Sequence, residues 1–138
     1  MGRILAIDYG GKRVGLAVTD ELKIIANALE TIPQNEVLDY IKRYVAKENV
    51  EALVLGMPKN LNNTSTDATK MVEKFHLLLQ KEFPNKEIHL VDERFTSKMA
   101  VSAMVTGGMK KKDRRKKENI DKISATIILQ SFLEQRMF

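Results

Sequence analysis

Residues 3–19 read RILAIDYGGKRVGLAVT, two apolar runs hinged on a Tyr9-Gly10-Gly11-Lys12 turn. Arg3 to Asp8 alternates into a strand, and Val14 to Thr19 supplies a second. So short a connection makes the two strands antiparallel neighbours. Ile24 to Ile32 follows after another short turn and predicts a third strand of the same meander.

Beyond the meander the periodicity changes. Pro33 opens a helical stretch with Val37, Leu38, Ile41 and Val45 on one face. Glu51 to Gly56 is a short apolar strand, and Met57 to Thr64 a polar loop. A helix capped by Ser65 or Asp67 should turn Met71, Val72, Phe75, Leu78 and Leu79 inward, until Pro84 and Asn85 stop it. Glu87 to Asp92 is the fifth strand. Thr96 to Val105 predicts a further helix, with Ala100, Val101, Met104 and Val105 inward and Gly107-Gly108 ending it. The last helix spans roughly Asn119 to Gln135 through Ile120, Ile123, Ile127 and Ile128. The order βββαβαβαα predicts an α/β fold: a mixed five-stranded sheet with helices on both faces.

The 138 residues fit one domain, residues 1–138, large enough to bury a core. Hydrophobic residues make up 43% and charged residues 30%, which excludes a disordered or fibrous chain. There is no cysteine, so disulfides, thiolate zinc sites and cysteine nucleophiles are excluded. The longest apolar runs, such as Ala52 to Met57, are about a third of a membrane span. Asp8 interrupts the first apolar stretch, so no secretory start is expected; a cytoplasmic domain with no membrane partner is the expectation.

The net charge of +5 is concentrated in one place. Lys110, Lys111, Lys112, Asp113, Arg114, Arg115, Lys116 and Lys117 form a run of seven bases and one acid, and the rest of the chain is close to neutral. A solvated loop is the plain reading of such a run. A flexible polyanion-binding arm over 107–118 is the sharper one, because clustered Lys and Arg displace counterions from phosphates.

Ligands of open α/β sheets gather at the carboxyl ends of strands. Asp8 closes the first strand, Asp92-Glu93 closes the fifth, and Asp121 lies early in the last helix. Alone, each acid has an ordinary role in a turn, an ion pair or a helix dipole. Together, Asp8, Glu93 and Asp121 are three hard oxygen donors suited to Mg2+ or Mn2+, which can stabilise in-line attack on a phosphodiester. Small Ser124 and Ala125 would let the last helix approach the sheet closely. Glu118 is a possible fourth ligand, better explained as an acid answering the basic run. His76 and His89 lie within apolar patterns and receive no role.

Four segments carry a resemblance to a known family: Ile7-Asp8-Tyr9-Gly10 through Arg13-Val14-Gly15-Leu16-Ala17, Gly56-Met57-Pro58 through Asn60, Asp92-Glu93-Arg94-Phe95-Thr96-Ser97, and Ile120-Asp121-Lys122-Ile123-Ser124-Ala125. In this order they resemble the YqgF/RuvX family, relatives of the RuvC Holliday-junction resolvases with an RNase H-like fold. The resemblance implies a bacterial cytoplasmic nuclease in 5′-end maturation of pre-16S ribosomal RNA, with the small ribosomal subunit as a further partner. A resolvase-like activity on branched DNA is the alternative. It places the catalytic and metal-binding acids at Asp8, Glu93 and Asp121. Arg13, Asn60, Arg94, Thr96 and Ser97 fall on motif positions that hold phosphate or organise the acids. One departure stands out: the resolvase relatives take their second acid from the strand ending here at Gly56-Met57-Pro58, where no carboxylate occurs.

Two rival readings remain at this level. Asp8-Tyr9-Gly10-Gly11-Lys12 also resembles the first phosphate loop of the sugar-kinase, actin and heat-shock ATPase superfamily, but 138 residues leave no room for its second core domain. A non-catalytic RNA- or ribosome-binding module is the other. The sequence leaves RNA against DNA, endonuclease against exonuclease, and the oligomeric state open.

Overall fold

β1, Arg3–Tyr9, runs through the middle of the sheet because both its faces are apolar: Ile4, Leu5, Ala6 and Ile7 are all fully buried. The computed structural model describes residues 2–57, 67–92 and 117–137 of the chain. β2, Arg13–Thr19, and β3, Ala26–Pro33, complete an antiparallel meander with it. β4, Val50–Met57, and β5, Glu87–Asp92, add parallel strands on the other side of β1. The sheet order is β3-β2-β1-β4-β5, the mixed five-stranded sheet that the sequence predicts.

Period-two alternation sorts the buried side chains into two cores. Leu5, Ile7, Val14, Leu16, Leu53 and Leu55 face one way, towards α1, Val37–Lys47, and α2, Asp67–Glu82. Ile4, Ala6, Ala17, Ala52, Val54 and Val91 face the other way, towards Ala125, Ile128, Leu129 and Phe132 of α3, Lys117–Met137. Helices therefore cover both faces. The α3 side is lined by alanines, so this helix lies close to the sheet. Among the described residues no helix is long and apolar enough to cross a membrane.

Several sequence expectations shift in detail. Pro33 ends β3 and precedes a 3-10 turn, Gln34–Glu36, that feeds into α1. Ile24 and Ile25 belong to the β2–β3 turn and not to the third strand. The Asp20 carboxylate accepts hydrogen bonds from the backbone N–H groups of Leu22, Ile24 and Ile25, at 3.3, 2.8 and 2.9 Å. These bonds hold its pKa below the ordinary aspartate value. The turn leaves Leu22, Ile24 and Ile25 exposed. In α2 the inward positions are Val72, Phe75 and Leu79, with Phe83 just beyond; Leu78 is 38% exposed. α3 starts at Lys117, two residues before the expected position, so Lys117 and Glu118 form part of its first turn. The expected helix over 96–105 and the basic residues 110–116 lie outside the described residues.

Candidate active site

The register sets the environment of Asp8. It pairs with Gly15 of β2, while Ile7 pairs with Leu55 of β4. One step further along these parallel strands, Asp8 comes level with Gly56, which itself pairs with Val91 of β5. Paired residues share a face, and Asp8 has the parity of Ile4 and Ala6, so it belongs to the α3 side. Its two lateral neighbours on that face, Gly15 and Gly56, carry no side chain. The half-buried carboxylate thus stands in a notch at the carboxyl edge of the sheet, flanked by backbone.

The same face supplies two polar neighbours. Arg13, the first residue of β2, is the diagonal neighbour of Asp8 in the antiparallel pair, within reach of a long side chain. Thr31 of β3 pairs with Gly15 and continues the row. Thr31 had no sequence signal: only the β2–β3 register, with its shift between Leu16 and Ala17, brings it level with Asp8.

The turn behind the notch is tied down from the other face. Gly10 N–H donates to the Arg13 carbonyl at 3.1 Å, and a Cβ on Gly10 would sit 2.5 Å from that oxygen, so glycine is required. Gln34 N–H donates to the Lys12 carbonyl at 2.9 Å, and its side-chain Nε2 donates to the Gly10 carbonyl at 3.1 Å. Tyr9 stacks on Phe75 with ring centroids 4.1 Å apart, and burial raises its hydroxyl pKa. Neither Gln34 nor Tyr9 was singled out from the sequence. Both fix the strand end from which Asp8 projects.

The other predicted acids are located only in part. Asp92 ends β5, paired with Met57, at the same sheet edge as Asp8. Asp121 lies in the second turn of α3, one turn ahead of Ser124 and Ala125, which are 1% and 0% exposed. Glu93, Asn60, Arg94, Thr96, Ser97, Lys110, Lys111, Lys112, Arg114, Arg115 and Lys116 lie outside the described residues. Among the described residues no group of three or more His, Cys, Asp or Glu forms a metal cluster. The end of β4 carries no acid, in keeping with Gly56-Met57 in the sequence.

A family model described as "RuvX: Holliday junction resolvase" matches residues 2–135. The chain belongs to the RuvX family. A relative from Amoebophilus asiaticus is 56% identical over 133 residues, covering 96% of this chain and 94% of the relative. Relatives from Bacteroides thetaiotaomicron and Flavobacterium johnsoniae are 51% and 48% identical over 138 residues, each covering 100% of both chains. All three carry the name "Putative pre-16S rRNA nuclease". Among solved structures, Thermus thermophilus RuvC in complex with a Holliday junction substrate matches with a TM-score of 0.59 at 16% identity, covering 98% of this chain and 96% of that one. A second RuvC structure from that organism matches with a TM-score of 0.56 at 17% identity. At these identities the RuvC likeness shows the fold, an RNase H-like sheet with flanking helices. Membership of the RuvX family supports nuclease activity at the level of the family.

Proposed function

We propose that this protein is a divalent-metal-dependent nuclease that hydrolyses phosphodiester bonds during 5′-end processing of pre-16S ribosomal RNA. The observation that carries the reading is the notch around Asp8: a half-buried carboxylate at the strand edge whose lateral neighbours, Gly15 and Gly56, carry no side chain. The names of the close relatives point to the RNA substrate, and the family description makes branched DNA the second substrate to test.

The donor set fits a hard cation. Asp8, Glu93 and Asp121 offer carboxylate oxygens only, the ligands that magnesium and manganese prefer. Val91, two residues before Glu93 in the sequence, faces α3, and Asp121 precedes the helix turn pressed on that same face. Bound magnesium or manganese supplies an activated water and positive charge for the leaving oxygen. Arg13, beside Asp8, neutralises phosphate charge, with Asn60, Arg94, Thr96 and Ser97 as further substrate contacts. Cleavage of pre-ribosomal RNA and of four-way DNA junctions is expected with magnesium or manganese. Little is expected with calcium, whose looser coordination suits the in-line geometry poorly. Full activity in excess chelator would show that the carboxylates serve another purpose.

The basic run holds the backbone of the substrate. If about four of its charges meet phosphates, duplex affinity should fall with salt at a log–log slope of roughly −3.6. Replacing Lys110, Lys111, Lys112, Lys116 and Lys117 with Gln should flatten that slope and weaken different sequences equally, since phosphate contacts carry no base information. The half-saturating substrate concentration should rise more than the maximal rate falls. An unchanged slope returns the run to a solvated loop.

A further inference from the structure

On the sheet face opposite Asp8, α1 carries a groove of about 200 Å³ lined by Tyr40, Arg43, Tyr44 and Lys47. Two features separate it from an ordinary helix surface. The Tyr40 and Tyr44 rings, one turn apart, lie nearly parallel at 12° with centroids 6.4 Å apart, and form one aromatic wall. Both rest against the core, so the wall is held in place. Arg43 and Lys47 are exposed, and among the described residues neither forms an ion pair, whereas Arg3 pairs with Glu48 and Lys42 with Glu82.

The chemistry of the groove is that of a single-stranded nucleic-acid subsite, in which bases stack on aromatic rings and cations follow the backbone. Burial, then the hydrogen bond to Glu30 and its charge, push the Tyr40 hydroxyl up to about 12. Burial also raises Tyr44. Both rings therefore stay neutral at physiological pH and do not repel phosphate. The groove is also connected to the site edge. The turn that feeds α1 holds the Gly10 and Lys12 carbonyls through Gln34, and α1 runs from there along the sheet. Tyr40 stands six residues beyond Gln34, roughly 9 Å along at helical rise.

We propose that the α1 groove binds unpaired nucleotides of an RNA substrate, with Tyr44 and Tyr40 stacking on bases and Arg43 and Lys47 contacting phosphates. The inference rests on the nuclease reading for its substrate class and extends it with a second site remote from the carboxylates. It explains how a strand entering or leaving the cleavage edge is held by its bases as well as by its charge.

Binding of a short oligouridylate is compared with that of an abasic ribose-phosphate chain of equal length, in chelator so that cleavage plays no part. The chain has no tryptophan and three tyrosines, two of them in the groove, so tyrosine emission reports stacking directly. The oligouridylate should quench that emission and bind roughly tenfold tighter than the abasic chain. Tyr44→Leu, which keeps an apolar side chain against the core, should bring the two affinities together, and Tyr44→Phe should restore the difference. Arg43→Glu with Lys47→Glu, both exposed, should weaken both probes about tenfold or more. Unquenched emission at saturation, or wild-type affinities in the Leu and double-Glu variants, would overturn the groove assignment. Failure of the wild-type protein to cleave RNA in magnesium bears on the nuclease reading and leaves these metal-free affinities as measured.

Discussion

Asp8→Asn is expected to lower metal-dependent cleavage by at least about a hundredfold while the protein remains folded. Substitution of an outer-shell partner of a metal site already costs 10–100-fold in affinity or activity, and loss of a direct carboxylate ligand should exceed that. Asparagine keeps the shape of the side chain between Gly15 and Gly56, so the sheet edge has no packing reason to rearrange. On the proposed convergence of Asp8, Glu93 and Asp121, removing one negative charge relieves repulsion in the metal-free protein. The melting temperature without metal should therefore hold or rise, and the stabilisation gained on adding magnesium should shrink. Glu93→Gln and Asp121→Asn should behave alike. Their double and triple combinations with Asp8→Asn should lose little more than the single variants, as for groups that act as a unit. The measurements are cleavage rate and thermal unfolding with and without magnesium. A near-normal rate for Asp8→Asn removes the acid from the chemistry.

How much of this site was legible beforehand depends on the range of the interaction involved. The alternation in RILAID and VGLAVT specifies strands with the Asp8 edge uppermost, because side-chain direction along a strand follows from position alone. The glycine notch was not legible. Gly15 and Gly56 become neighbours of Asp8 only through pairing with β2 and β4, and registers are set by the packing of whole strands. The β2–β3 turn misled for a related reason. Ile24 and Ile25 look like strand residues by composition, yet the Asp20 carboxylate captures their N–H groups and folds them into the turn. On α3, the Ile120, Ile123, Ile127 and Ile128 pattern located the helix, and the small Ser124 and Ala125 marked where it approaches the sheet. Ile128 is buried, Ile123 and Ile127 are only partly so, and Ser124 and Ala125 make the close approach. The α1 groove escaped notice because the periodicity picks out only the Val37, Leu38, Ile41 and Val45 face, and Tyr40 and Tyr44 become a wall only where Arg43 and Lys47 frame them.

That close approach makes Ala125→Leu the most disruptive single change expected in the α3 layer. The methyl group of Ala125 is fully buried in a cluster with Ala6, Ala17, Ala52 and Val54, so an isobutyl group has no space to enter without moving the helix. Overpacking of this kind costs about 1–3 kcal/mol, occasionally more. For a domain of this size that lowers the melting temperature by roughly 3–10 °C. The loss of cleavage should exceed what unfolding explains, because Asp121 stands one turn away on the helix that must shift. A displacement of about 1 Å at a reacting centre can cost a hundredfold in rate. Ser124→Ala is the matched comparison at the neighbouring position. Its Oγ is buried with no hydrogen-bond partner among the described residues, so its removal should leave stability unchanged or raise it by about 1 kcal/mol. Cleavage by Ser124→Ala should stay near wild type, because the helix keeps its distance from the sheet. The two variants are separated by rate measured well below either melting temperature, where the folded fraction is complete. Wild-type rate and stability in Ala125→Leu would mean that α3 can stand off from the sheet without cost, and that Asp121 is not positioned by this contact.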